Sequence, residues 1–145
     1  MQATAVDTSV IVAGLLAWHQ RHPEANAAIE SALASGRMVL PAPALVEAFS
    51  VMTRLPAPHR LSPADAWLLL HDNFWEHAEL VALEAPAFWQ ALETWSGVGI
   101  AGGRVYDAHI LACARQASAT ALLTFNTRDF NALDCDDIEI VEPSA

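Results

Sequence analysis

Apolar positions along the chain recur with two spacings, and the two take turns. Short apolar runs that read as buried strands occur at residues 4–7 (TAVD), 37–41 (RMVLP), 78–83 (AELVAL), 120–124 (TALLT) and 137–141 (DIEIV). Longer segments with helical spacing lie between them. Residues 9–18 (SVIVAGLLAW) predict a helix that Thr8 or Ser9 can cap. Residues 22–35 predict another, with Pro23 near its start and Gly36 at the C′ position. Residues 43–55 (PALVEAFSVMTRL) carry Glu47 on a helix that stops before Pro56. The next helical segment, 61–74, opens with the cap-like Ser62, Pro63 and Asp65. Residues 85–95 predict a further helix, 96–104 (SGVGIAGGR) a glycine-rich loop, and 105–117 (VYDAHILACARQA) the helix that carries Asp107. Residues 125–133 read as a loop with a helical turn. Strands alternating with helices predict an α/β fold with a mostly parallel sheet. One domain spanning 1–145 accounts for the length, which suffices for one sizeable core.

Composition narrows the class. Hydrophobic residues make up 54% and charged residues 17%, the balance of a globular chain. The apolar run at 10–18 is too short to cross a bilayer and follows no basic region of the kind that opens a signal peptide, so a cytoplasmic protein with no membrane association is expected. The formal net charge of −10 runs against nucleic-acid binding, unless part of the acidic charge is gathered around a cation. All seven basic residues are arginine. The absence of lysine removes P-loop nucleotide hydrolysis and Schiff-base chemistry, and it argues against a phosphoacceptor signalling domain. Cys113 and Cys135 have no metal-binding spacing, and Cys113 reads as a core residue. The tryptophans, Trp89 and Trp95 among them, read as core or interface residues, and His19 and His22 as exposed residues flanking a turn.

The acidic residues carry the chemical signal. Asp7 interrupts AVDTSVIVAG with a carboxylate, and it can be a turn residue, a helix cap or a ligand for something positive. Ligands of open parallel α/β sheets bind beyond the carboxyl ends of the strands. Asp7 ends the first strand, Glu47 lies in the first turns of the helix after the second, Asp107 near the start of the helix after the glycine-rich loop, and Asp129 a few residues after the fourth strand. All four are therefore expected at one edge of the sheet. Any one acid at a helix N-terminus can be there for the helix dipole alone. Four together cannot all stay ionised without a counter-charge, and a divalent cation with oxygen ligands, Mg²⁺ or Mn²⁺, supplies it. The chemistry that most often uses such a cluster is phosphodiester hydrolysis. Arg104, three residues before Asp107, can contact a scissile phosphate or pair with an acid of the cluster. The acidic stretch 134–139 (DCDDIE) is most simply a solvated loop.

VDTSV at the first strand, Glu47 in LVEAFSVMTR, Asp107 in GGRVYDAHILACA and Asp129 in LLTFNTRDF together resemble the PIN-domain ribonucleases, in particular the VapC-type toxins of bacterial toxin–antitoxin pairs. The resemblance runs nearly the full chain in order. It implies a three-layer α/β/α sandwich and a Mg²⁺- or Mn²⁺-dependent endoribonuclease whose RNA product carries a 5′-phosphate. It also implies a homodimer held inactive by a cognate antitoxin. On the same resemblance Asp7, Glu47, Asp107 and Asp129 form the acidic metal site, Glu47 being a ligand or the group that orients the attacking water. Ser9 matches the small polar residue that follows the first Asp, and Thr124 and Asn126 match the polar segment that supports the site. A PIN nuclease outside a toxin–antitoxin pair and a non-catalytic module on the same fold are the alternatives. Relief of repulsion among the acids leads to the expectation that Asp7→Ala leaves the metal-free fold intact or more stable.

Overall fold

A computed structural model describes residues 2–135 and 137–144. The described residues form β1 (Ala3–Val6), α1 (Thr8–Leu15), α2 (His22–Ser35), β2 (Arg37–Pro41), α3 (Ala42–Thr53), α4 (Pro63–Phe74), β3 (Glu79–Val81), α5 (Ala85–Val98), α6 (Arg104–Gln116), β4 (Ala121–Leu123), α7 (Thr127–Asn131) and β5 (Glu139–Val141). The strands make one sheet in the order β3-β2-β1-β4-β5, and every pair is parallel. The sheet is thus wholly, not mostly, parallel, and the seven helices flank it as an α/β sandwich. No described helix is long and apolar enough to cross a membrane.

Position in the sheet explains the composition of each strand. Central β1 is built from small residues with Ala3, Ala5 and Val6 buried, as a strand covered on both faces requires. Its neighbour β2 buries Met38, Val39 and Leu40. Edge strand β3 keeps Glu79 and Leu80 in solvent, and Glu79 accepts the Arg37 Nε–H of β2 at 2.8 Å. The largest fully buried side chains include Phe130, Ile11, Met38, Met52, Ile110 and Leu111. Phe130 anchors the five-residue α7, which the sequence pattern shows only as a loop with a helical turn. Cys113 is fully buried, as expected of a core residue, and burial pushes its thiol above the ordinary range.

Several boundaries differ from the expected ones, each for a local reason. Helix α1 is capped by Asp7, not by Thr8 or Ser9, and ends at Leu15 instead of running to Trp18. Helix α5 runs on through Ser96 and Gly97 to Val98, so the glycine-rich loop begins only at Gly99, whose φ of 78° places it in the left-handed region that closes the helix. Gly36 is not a left-handed cap: its φ of 171° is extended, and a Cβ there would lie 2.5 Å from the carbonyl oxygen of Gln2. Glycine is required at that point because two backbone segments meet. Of the tryptophans, Trp95 is buried whereas Trp89 is 74% exposed, so only the former is a core residue. His19 and His22 are half-buried rather than exposed, with their Nδ1 atoms bonded to the Arg21 N–H and the Ala13 carbonyl.

Candidate active site

The strand order fixes where a site can form. From β1 the chain builds outward to β2 and β3, then returns to add β4 and β5 on the other side of β1. The crevice between the carboxyl ends of β1 and β4 is therefore the place where the connections diverge, the usual ligand position in such sheets. Asp7 follows β1 there, and Thr124 follows β4. The Asp7 N–H donates to the Leu123 carbonyl at 2.9 Å, which sets the register between the two strand ends.

Among the described residues the buried polar side chains are Asp7, Thr8 and Thr124, and all three lie in this crevice. The Asp7 carboxylate is 3% exposed and accepts three hydrogen bonds. Its Oδ1 accepts the Thr8 N–H at 2.7 Å, the helix cap of α1. Its Oδ2 accepts the hydroxyls of Ser9 at 2.8 Å and Thr124 at 2.7 Å. Both hydroxyls are themselves oriented from the loop after β4. The Phe125 N–H donates to Ser9 Oγ at 3.1 Å, and the Asn126 N–H donates to Thr124 Oγ1 at 2.9 Å. Each hydroxyl oxygen thus has a lone pair occupied and its proton aimed at Asp7. The Arg21 guanidinium lies 4.1 Å above the Phe125 ring and presses on the same loop from outside.

This arrangement argues against the expectation that Asp7→Ala leaves the metal-free fold intact or more stable. Repulsion is relieved, but a helix cap disappears and two buried hydroxyl donors lose their acceptor, which costs more. Asp7 is both a cap and a buried anion. Asn126 acts on the site through its backbone, because its carbonyl also accepts the N–H groups of Asp129 and Phe130 and so shapes the turn that carries Asp129.

The remaining acids differ in exposure. Glu47 on α3 and Asp129 on α7 are exposed, whereas Asp107 in the first turn of α6 is half-buried. Burial pushes the Asp107 carboxyl up to about 6, and the negative charges of Asp7, Asp129 and Glu47 add to the rise. The four acids therefore share one electrostatic neighbourhood although they come from four elements. Among the described residues no group of three or more Asp, Glu, His and Cys side chains is gathered tightly enough to hold an ion as it stands.

Arg104 is exposed at the first position of α6 and lines a groove of about 630 Å³ with Trp95, Leu111, Arg115, Asp134 and Asp137. Among the described residues it makes no ion pair, so the salt bridge to a neighbouring acid is not present. Of the acidic stretch 134–139, Asp137 is tied to Arg115 at 2.9 Å, and Asp136 lies outside the described residues. His109 packs edge-on against Phe88, 5.1 Å between centroids, and burial holds its imidazole below the ordinary range. In the sequence pattern Thr8 stands out only as a cap candidate. The structure places its hydroxyl between α1 and α3, 3.2 Å from the Ala44 carbonyl and 3.4 Å from Glu47 Oε2. Nothing local in the sequence signals a contact across 39 positions, since only the β1–β2 pairing brings the two helices together.

A second concavity, of about 460 Å³, lies between α3, α4 and the β2–β3 edge and is lined by Leu45, Phe49, Trp67, Leu70, Trp75 and Leu80 among others. Trp67, His71 and Trp75 form a ladder along α4, with centroids 4.8 and 5.3 Å apart, and both tryptophans are more than half exposed.

Residues 4–134 match the family model of the PIN domain. The chain is 35% identical over 130 residues to ribonuclease VapC40 of Mycobacterium tuberculosis, covering 90% of this chain and 89% of that protein. It is also 35% identical over 130 residues to ribonuclease VapC27 of the same organism, covering 90% and 87%. Among solved structures, the sarcin–ricin-loop-cleaving toxin VapC20 of M. tuberculosis superimposes with a TM-score of 0.71 at 19% identity, over 93% of this chain and 98% of that one. VapBC2 of Rickettsia felis, solved bound to a promoter DNA fragment, gives 0.69 at 16% identity, over 99% and 100%.

Proposed function

The chain belongs to the PIN-domain family, and from that premise we propose that it is a divalent-metal-dependent endoribonuclease, the toxin of a toxin–antitoxin pair. The observation that carries the reading is the confinement of the buried polar residues Asp7, Thr8 and Thr124 to the one crevice where Asp107 feels the charges of Asp7, Glu47 and Asp129. A fold tolerates that concentration of anions when a cation completes it. The donor set consists of hard carboxylate oxygens and fits Mg²⁺ or Mn²⁺. Asp7, Asp107, Asp129 and Glu47 are the residues that would hold it. When bound there, the ion supplies positive charge to a phosphodiester and makes water a nucleophile near neutral pH.

The chain's own groups do the rest. Ser9, Thr124 and the Asn126 N–H fix the Asp7 carboxylate, so it meets the substrate already oriented. Glu47 is exposed and can orient the attacking water, and Arg104, which makes no ion pair among the described residues, is an exposed cation at the start of α6, suited to a phosphate of the RNA. With a net charge of −10, binding of RNA by one copy is weak, and a homodimer that pools arginines offsets this. The exposed apolar surface along α3 and α4 supports the protein-partner half of the reading, because a monomer seldom leaves so much apolar area in water. The working compartment is the cytoplasm, where RNA and an antitoxin are both found. Purified protein supplied with Mn²⁺ is expected to cut RNA, and chelation with EDTA or Asp7→Asn to stop it. Metal-loaded, antitoxin-free protein that cuts no cellular RNA would sink the proposal.

A further inference from the structure

We infer that Thr8 is a positioning residue that joins two of the acids, its backbone orienting Asp7 and its hydroxyl tethering Glu47 so that both face one divalent cation. The inference rests on the metal-site reading above and extends it to a residue outside the acidic set. Thr8 is 6% exposed at the first position of α1. Its N–H holds Asp7 Oδ1 at 2.7 Å. Its hydroxyl has a single proton and two acceptors in reach, the Ala44 carbonyl at 3.2 Å and Glu47 Oε2 at 3.4 Å. Ala44 is the third residue of α3, so its carbonyl belongs to the helix's own ladder and does not depend on Thr8. Glu47 has no such alternative: among the described residues the Thr8 hydroxyl is its one hydrogen-bond partner. An exposed glutamate otherwise samples many rotamers, and each ligand fixed in advance lowers the entropy lost on binding an ion.

The test is Mn²⁺ binding by calorimetry on the intact chain, with thermal midpoints recorded without metal. Thr8→Val keeps the N–H to Asp7 and nearly the same volume while removing the hydroxyl, and Thr8→Ala serves beside it should the valine fail to fold. Loss of such an outer partner is expected to weaken Mn²⁺ binding roughly tenfold. Thr8→Ser is expected to restore it. In a Glu47→Gln background Thr8→Val is expected to add nothing further, because Thr8 acts through Glu47. Wild-type affinity in both hydroxyl-free variants, or additive losses with Glu47→Gln, overturns the role assigned to Thr8 and leaves the metal site standing. A wild-type chain that takes up no Mn²⁺ overturns the metal site itself, and the tether with it.

Discussion

On the proposed metal-site reading, Asp7 combines two demands that usually fall on different residues. A helix cap needs an acceptor fixed in place, and a metal ligand needs an anion that the protein alone does not neutralise. Both are met by surrounding one carboxylate with donors that carry no full charge, an N–H and two hydroxyls. Asp7→Ala is accordingly expected to lower stability by about 1–3 kcal/mol in urea denaturation. Asp7→Asn, which keeps one acceptor oxygen, is expected to lose less stability and to abolish cleavage. Asp107 supplies the pH dependence. Its carboxyl sits at about 6, above its ordinary 3.8, so the metal-free folded chain binds its proton more tightly than the unfolded chain does. The stability this contributes is fully present below about pH 4 and is lost as the pH rises through about 6. The midpoint of the metal-free protein is thus expected to fall as the pH is raised across that window. Asp107→Asn is expected to flatten the trend, and, on the proposed metal site, saturating Mn²⁺ is expected to suppress it by replacing the proton as the counter-charge.

At the scale of elements, the alternation of periods made the order of strands and helices readable, because the strands are short apolar runs, buried in the centre of the sheet, and the helices are longer segments with helical spacing. Strand β2 and helix α2 lie where the pattern puts them. The misplacements trace to contacts that a local pattern does not contain. Helix α7 exists because Phe130 finds a core that other elements build. Gly36 was legible as a glycine at a helix end but not as the point where the chain passes against Gln2. Gly36→Ala tests that distinction. A left-handed cap would lose through strain in φ, whereas here the new methyl meets a backbone carbonyl that cannot turn aside. A loss of about 1–3 kcal/mol is expected, from overpacking and not from torsion. Thermal denaturation measures it, and relief by a shortened N-terminus that ends after Gln2 would identify the cause.

For the molecule as a whole, the acids were legible because strand ends in a parallel sheet share one edge, and the hydroxyl framework was legible only in part, through Ser9, Thr124 and Asn126. What stayed hidden was how those residues connect, since Thr124 meets Asp7 across 117 positions. That separation bears on the chain's synthesis. The strand carrying Asp7 leaves the ribosome first, yet the Thr124 donor to Asp7 is missing until the segment after β4 has been made, and domains acquire their long-range contacts only as the later segments emerge. A nascent chain that ends before Thr124 has three of the four acids and two of the three Asp7 donors, but lacks the Thr124 hydroxyl and the Phe125 and Asn126 N–H groups that orient the hydroxyls. The hydrogen-bonded setting of Asp7 is therefore complete only once nearly the whole chain has been made.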